Sequence, residues 1–209
     1  MGIPGYPVDS PLTIEGFIDF AAELGYDGIQ IADNTPLIDL DREKRTRLKD
    51  KADRHNLFIE VGGRGLTLEN LDRHLEVCLD LDADLLRFVI DGPGYEPDRA
   101  TITGLLTDAA RHCADAGIQL AIENHDRFEA DCFLDWIHAV DSAYLGICLD
   151  SVNSYGCGES SRSTIDTLLP ATINFHLKDF IIRRQPHMLG FLIEGTPAGE
   201  GMLALPELL

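Results

Sequence analysis

The stretch LAIENHD, residues 120–126, decides how the fold of this chain is interpreted. Three apolar residues are followed without a break by a carboxylate, an amide, an imidazole and a second carboxylate. A short apolar run of this kind is typical of a buried strand. The polar residues after it indicate either a strand that meets solvent or a strand end that binds a metal ion or a substrate. The rest of the chain has to decide between these two interpretations.

The sequence on both sides repeats one arrangement, in which a helical stretch and a turn are followed by a short apolar run with a polar end. Residues 12–25, LTIEGFIDFAAELG, have apolar side chains at helical spacing, and Gly25 is placed to end the helix. The other runs that we predict as strands are GIQIADN (28–34), LFIEVGGRG (57–65), DLLRFVIDG (84–92), YLGICLDSVN (144–153) and INFHLKDF (173–180).

Six strands separated by segments of helical length predict a parallel sheet, because parallel strands need crossover connections. No GxGxxG or GxxxxGK[ST] motif follows the first strand, so neither common nucleotide-binding sheet is favoured. Polar residues end all six strands on the carboxyl side, where a (β/α)8 TIM barrel builds its active site. We therefore predict a single α/β TIM barrel domain over residues 1–209 that lacks its first strand and its last strand–helix unit. Such a chain is a fragment or is completed by another chain, which leaves a homo-oligomer open.

Composition limits the partners of this protein. Its formal net charge of −19 disfavours nucleic acid, whose phosphates the surface would repel. No apolar run reaches the roughly 18 residues of a membrane span, and the start, MGIPGYPVDSP, lacks the pattern of a secretory signal. The five cysteines form no CxxC pair. We expect a cytoplasmic protein that binds a small molecule, with neither a membrane nor nucleic acid as partner.

Three consecutive predicted strands carry potential metal ligands near their ends, namely Glu123, Asp150 and His176. Neighbouring strands lie about 4.8 Å apart, so these side chains can converge on one ion. Each residue alone is more simply explained as a helix cap, a solvated acid or a core histidine. Their occurrence on successive strands favours a metal site instead, and two oxygens with one imidazole suit Mn²⁺, Mg²⁺, Co²⁺ or Zn²⁺.

In this order, the motifs resemble the sugar isomerase/epimerase-like barrels, which include xylose isomerase, ketose 3-epimerases and the endonuclease IV type of abasic-site nuclease. The resemblance runs from ELGYDGIQIADN through LAIENHD, GICLDSVN and HLKD to GEG. It implies that Glu123, Asp150 and His176 bind one divalent metal ion together with a glutamate from an eighth strand. We expect that strand to lie beyond the end of this chain.

The resemblance also implies the reaction, a metal-dependent isomerisation or epimerisation of a sugar or sugar phosphate through an enediolate. Glu123 is the candidate for proton transfer. The residues expected to contact the substrate are Arg64, His125, Glu129, Asn153, Lys178 and Arg183. Asn153 stands where epimerases commonly have a histidine, so it can hydrogen-bond a hydroxyl but cannot carry a proton. Simpler interpretations remain open for some of them: Glu129 as a solvated acid at a helix start, and Arg183 with Arg184 as a surface pair.

Two other functions also stay open. One is a metal-dependent hydrolase, lyase or endonuclease IV-like phosphodiesterase on the same barrel, although the early strand ends lack the extra histidines that a three-zinc nuclease needs. The other is a non-catalytic fragment. We further expect Lys178 and Asp179 to form an ion pair that positions His176.

Overall fold

The computed structural model describes residues 11–205. Two compact units divide this part of the chain: the first runs to Ala121 and includes Ser142–Leu145, and the second consists of Ile122–Asp141 and the chain from Gly146 onward. Strands and helices alternate as far as His176, and in the six-stranded sheet strand order follows chain order. The predicted α/β TIM barrel class is confirmed, with six of the eight barrel strands among the described residues.

The first unit contains a parallel sheet with helices between its strands. Its elements are α1 (Ile14–Leu24), β1 (Gly28–Ile31), α2 (Arg42–Arg54), β2 (Phe58–Arg64), α3 (Leu68–Leu81), β3 (Leu85–Val89) and α4 (Arg99–Ala116). β2 pairs in parallel with β1 and β3, so that Ile29 lies beside Ile59 and Val61 beside Leu86. These four side chains are all buried. The strand β4 (Gln119–Glu123) begins in this unit and ends in the second.

Local capping sets where the helices begin and end. Thr67 accepts a hydrogen bond from the backbone N–H of Asn70 at 3.2 Å and so begins α3. Gly25 ends α1 with φ 73°, a left-handed conformation that glycine adopts without steric cost, and this predicted cap is confirmed. None of the described helices has both the length and the apolar composition needed to cross a bilayer.

A row of polar side chains crosses the first three strands. Gln30 of β1 donates to Glu60 of β2 at 2.9 Å, and Arg87 of β3 donates to Gln30 at 3.3 Å. Arg87 also donates to the backbone oxygen of Gly63 at 3.3 Å, and these bonds offset the cost of burying its charge. The row was not predicted, because a polar residue within an apolar strand gives no sign of the neighbours it will meet.

The second unit combines parallel strands with an antiparallel hairpin. Its elements are α5 (Ala130–Val140), β5 (Leu145–Asp150), α6 (Ser161–Leu168), β6 (Thr172–His176), β7 (Asp179–Arg184) and β8 (Phe191–Thr196). β5 and β6 are parallel, and their register shifts by one residue, since Ile147 lies opposite Thr172 whereas Cys148 lies opposite Asn174. The shift places Asp150 level with the last residue of β6.

The hairpin of β7 and β8 is the main departure from the predicted secondary structure. Residues 173–180 were predicted as one strand, but β6 ends at His176 and β7 begins at Asp179. β7 pairs with β8 along its whole length, and the connecting turn contains Met188 and Gly190 with φ 63° and 142°. The chain therefore turns back on itself directly after the segment that carries His176.

Candidate metal centre

The candidate centre starts from a carboxylate and an imidazole at the ends of two strands. Glu123 is the last residue of β4 and His176 is the last of β6. Oε2 of Glu123 lies 3.4 Å from Nδ1 of His176, and the two side chains are 5% and 23% exposed. Oε1 of Glu123 accepts a hydrogen bond of 2.9 Å from the amide of Asn153. The structure thus brings two of the three predicted ligands together, largely shielded from water.

Cys148 is a third donor near this pair. Its Sγ atom and the ligand atoms of Glu123 and His176 all lie within 4.8 Å of one another. Cys148 stands two residues before Asp150 on β5, so both side chains leave the same face of the strand. The thiol donates a hydrogen bond of 3.2 Å to Oδ1 of Asn174. Alternation along β5 was the signal that could have identified Cys148, which the sequence prediction missed.

Asp150, the third predicted ligand, has a cation of its own. Its side chain is 0% exposed, and Oδ2 lies 2.7 Å from Nζ of Lys178. Oδ1 accepts hydrogen bonds of 2.9 Å from the backbone N–H groups of Val152 and Asn153. Among the described residues, Asp150 lies outside the group of three close donors. Lys178 therefore balances the charge of Asp150.

Asn124 joins the ends of β4 and β5. Its Oδ1 accepts a hydrogen bond of 2.7 Å from the backbone N–H of Asp150, and its Nδ2 donates to the carbonyl of Asp150 at 3.0 Å. Nδ2 also donates to Oγ of Ser154 at 3.0 Å, and the side chain is fully buried. The amide thus acts like one more peptide group between the strands, which fixes Glu123 and Asp150 relative to each other.

Ser151 makes the corresponding connection from β5 to the segment after β6. Its Oγ accepts a hydrogen bond of 2.8 Å from the backbone N–H of Lys178 and donates to the Lys178 carbonyl at 2.9 Å. Its backbone N–H donates to the carbonyl of His176 at 3.2 Å. The backbone that carries the imidazole and the ammonium group is therefore held at the end of β5.

Asp179 organises the GEG loop, residues 199–203. Its buried carboxylate accepts four backbone hydrogen bonds of 2.8–3.0 Å, from Phe180, Gly199, Gly201 and Leu203. Burial opposes ionisation, but these bonds outweigh it and lower the pKa of Asp179. The predicted ion pair between Lys178 and Asp179 is therefore wrong, because Lys178 reaches Asp150 and the carboxylate of Asp179 is occupied by the loop.

Two predicted substrate contacts follow β4. Nδ1 of His125 lies 2.6 Å from Oδ1 of Asp126, and the imidazole is 35% exposed. Glu129 is exposed and directly precedes α5, yet its side chain makes no capping hydrogen bond. Glu159 takes that role by accepting from the backbone N–H of Ala130 at 2.7 Å. Contact of His125 and Glu129 with a substrate stays a prediction.

The two predicted arginine contacts lie on different elements. Arg183 of β7 pairs with Glu194 of β8 at 2.8 Å, and its side chain is 67% exposed. Arg64 ends β2 in the first unit, where its Nη1 lies 3.7 Å from Oδ2 of Asp33. Each arginine thus has an acidic partner within its own unit, and its contact with a substrate stays a prediction.

The donor set fits a divalent metal ion. Two ligand atoms about 2.1 Å from one ion at the tetrahedral angle lie roughly 3.4 Å apart. Oε2 of Glu123 and Nδ1 of His176 have this separation, 3.4 Å. These residues would hold the ion, and Asp150 would add a second carboxylate once Lys178 moves aside. A carboxylate-rich set with one imidazole suits Mn²⁺, Mg²⁺, Co²⁺ or Zn²⁺.

Comparison with known proteins gives matches over most of this chain. The model of the family described as xylose isomerase-like TIM barrel matches residues 18–209. A curated relative, 3-oxo-isoapionate decarboxylase from Pectobacterium atrosepticum, is 29% identical over 196 residues, which are 94% of this chain and 71% of that protein.

Two solved structures show the same fold. A xylose isomerase-like TIM barrel protein from Mycobacterium smegmatis in complex with magnesium has a TM-score of 0.74 and 16% identity, covering 99% of this chain and 80% of its own. D-psicose 3-epimerase in the presence of D-fructose has a TM-score of 0.73 and 17% identity, covering 94% of this chain and 73% of its own.

Proposed function

Because the chain belongs to the xylose isomerase-like TIM barrel family, we propose that it is a divalent-metal-dependent enzyme that isomerises or epimerises a sugar or sugar phosphate through an enediolate. The observation that carries the proposal is the 3.4 Å approach of Glu123 to His176 at the ends of β4 and β6. The magnesium complex and the epimerase of the same fold support it. Both are far from this chain in sequence, so the support for this reaction comes from the residues of this site.

Glu123 is the residue that we assign to proton transfer. A divalent ion held by Glu123, Asp150 and His176 would supply positive charge beside the carbonyl and hydroxyl oxygens of the substrate. Glu123 removes the proton from the hydroxyl-bearing carbon next to the carbonyl, while the hydrogen bond from Asn153 holds its carboxylate in position. Return of the proton to the neighbouring carbon isomerises the sugar, and return from a second acid to the opposite face epimerises it.

A second reaction, decarboxylation of a 3-oxo sugar acid, is favoured by the relative from Pectobacterium atrosepticum. Loss of carbon dioxide breaks the bond between the carboxylate carbon and its neighbour, and the electron pair of that bond passes into the enolate of the ketone. The protonated form of Glu123 then delivers a proton to the carbon. Lys178, whose side chain is half exposed beside Asp150, offers an ammonium group for the substrate carboxylate.

Deuterium exchange in D₂O tests the shared first step of isomerisation and epimerisation. The protein is incubated with Mn²⁺ or Mg²⁺ and a panel of ketoses and ketose phosphates, and proton NMR follows loss of the signal next to the carbonyl. We expect exchange with at least one sugar. Exchange with none of them, by a protein that has bound its metal ion, would exclude the isomerase and epimerase proposal. Release of carbon dioxide from 3-oxo sugar acids then tests the second reaction.

Variants connect either activity to the site. Glu123→Gln keeps the size of the side chain but cannot accept the proton, so it should lower the rate by about 10²–10⁴-fold. Glu23→Gln, an exposed change on α1, is the matched control and should leave the rate unchanged. Equal rates for Glu123→Gln and the control would remove Glu123 from the chemistry.

A further inference from the structure

The carboxylate of Asp150 is held by two kinds of group that differ in mobility. Its Oδ1 accepts from two backbone N–H groups of the loop that follows β5, at 2.9 Å each. Its Oδ2 forms an ion pair with a side chain, the ammonium group of Lys178, at 2.7 Å. A flexible side chain therefore neutralises Oδ2, whereas backbone N–H groups hold Oδ1 in place.

Lys178 can leave this position, whereas Asp150 cannot follow it. The Asp150 side chain is 0% exposed and that of Lys178 is 50% exposed. Both backbone polar groups of Lys178 are hydrogen-bonded to Oγ of Ser151, so the main chain stays in place when the side chain moves. An ammonium group that turns into water regains its hydration, but a buried carboxylate left without a cation pays the full desolvation penalty.

We propose that Lys178 and the divalent ion are alternative cations at Asp150. Lys178 neutralises the buried carboxylate before the ion arrives, and it is displaced when Asp150 joins Glu123 and His176 around the ion. This inference depends on the metal site of the proposed function. Among the described residues, Asp150 lies outside the group of close donors although its strand position is level with His176, and the cation at its carboxylate is Lys178.

Displacement also gives Lys178 a second role. A divalent ion beside Asp150 repels the ammonium group, since both then compete for one carboxylate. Asn153, whose Oδ1 accepts from Nζ at 3.1 Å, lies next to the freed position and also donates to Glu123. The released ammonium group is then available at the site for an anionic oxygen of the substrate.

Calorimetric titration with MnCl₂ tests the competition on the full chain. Lys178→Gln removes the competing charge and should bind Mn²⁺ on the order of tenfold more tightly than the wild type. Lys178→Arg keeps a competing cation and should bind like the wild type. Lys49→Gln, which removes the same charge from the pair with Asp53 on α2, is the matched control and should not change the affinity.

The outcomes separate this inference from the proposed function. Mn²⁺ binding by the wild type with equal or weaker binding by Lys178→Gln overturns the competition but leaves the metal site in place. Binding by none of the proteins overturns the metal site and the competition together. Tighter binding by Lys178→Gln alone, with both other variants unchanged, supports the competition.

A second measurement needs no variant and decides the matter if Lys178→Gln does not fold. The chain has four lysines, Lys44, Lys49, Lys51 and Lys178, which peptide mass spectrometry can distinguish. Acetylation by an amine-reactive ester is compared with and without Mn²⁺. We expect faster modification of Lys178 with Mn²⁺ and no change at the other three. An unchanged or slower rate at Lys178 in the metal-bound protein overturns the proposal.

Discussion

The side chain of Asn124 hydrogen-bonds both backbone groups of Asp150, with 2.7 Å to the nitrogen and 3.0 Å to the oxygen. This pairing extends the contact between β4 and β5 by one residue, at the end of the sheet where the candidate metal centre begins. The sequence gives no sign of this pairing, because Asn124 is one of four polar residues in a row. The position of Asp150 thus depends on a neighbour that is not itself a predicted ligand.

Replacement of Asn124 by alanine should destabilise the protein. The buried N–H and C=O groups of Asp150 would lose their partners, and the expected loss is about 2–4 kcal/mol in the free energy of unfolding. Ser154→Ala removes only one partner of the same amide and should cost about 1 kcal/mol. Urea denaturation followed by circular dichroism measures both. A loss of roughly 0.5 kcal/mol or less for Asn124→Ala would show that the pairing contributes little.

Acid should weaken the attachment of the GEG loop through Asp179. The four backbone hydrogen bonds lower the pKa of this carboxyl in the folded protein below its ordinary value of 3.8, although burial alone would raise it. The ionised carboxylate of Asp179 therefore contributes fully to the free energy of unfolding above pH 3.8. This contribution is lost as the pH falls through the lower pKa that Asp179 has in the folded protein.

Asp179→Asn should be less stable at neutral pH and should have a flatter stability profile in that acid range. Because asparagine keeps the size of the side chain, the difference reports the charge and its hydrogen bonds. Urea denaturation at a series of pH values gives the two profiles. Parallel profiles for the variant and the wild type would contradict the assignment.

Gly201 should tolerate no side chain. A Cβ atom at this position would meet the carboxylate of Asp179 and the backbone oxygen of Phe180, whereas a Cβ atom at Gly195 in β8 would meet nothing within 4 Å. We expect Gly201→Ala to cost about 1–3 kcal/mol, as overpacking does, and Gly195→Ala to cost much less. Limited proteolysis should also cut the GEG loop faster in Gly201→Ala alone. Equal behaviour of the two variants would mean that the loop can shift freely.

Cys148 should influence which metal ion the centre prefers. Thiolates bind Zn²⁺ and Cd²⁺ better than Mn²⁺ or Mg²⁺, and Sγ of Cys148 lies within 4.8 Å of the ligand atoms of Glu123 and His176. Cys148→Ala should therefore weaken Cd²⁺ binding while Mn²⁺ binding changes little. Cys157→Ala, on the loop after β5, serves as the cysteine control. An equal loss for both ions in Cys148→Ala would indicate damage to the site rather than loss of a ligand.

Sequence patterns predicted the framework of this site better than its internal contacts. A hydrophobic run with a polar end identified the strand that carries Glu123, because burial on both faces and a polar carboxyl end leave a clear trace in composition. The strand that carries His176 was identified by its apolar residues alone, although Ile173 and Phe175 are exposed. The partner of Asp150 could not be read in this way. Lys178 is adjacent to Asp179 in sequence, and only the fold shows that its side chain turns towards β5 instead.

The hairpin illustrates a different limit. Its strands β7 and β8 contain apolar runs, FII and FLI, that resemble the other strands in composition. The antiparallel return is decided by the turn between them, where Met188 adopts a left-handed φ of 63° that few non-glycine residues take. Pro186 and Gly190 indicate a turn in the sequence, but methionine carries no preference for this conformation, so the exact form of the return could not be predicted.

The register shift between β5 and β6 decides which side chain of β6 stands level with Asp150. If the alignment of Ile147 with Thr172 continued unbroken, Asp150 would stand beside Phe175, and an aromatic ring would enter the centre in place of the imidazole. The additional residue, Ile173, moves each later residue of β6 by one position, so that His176 stands beside Asp150. Insertion of one further residue of β6 just before Phe175, with this single shift retained, would therefore place an aromatic ring, in place of the imidazole, level with Asp150.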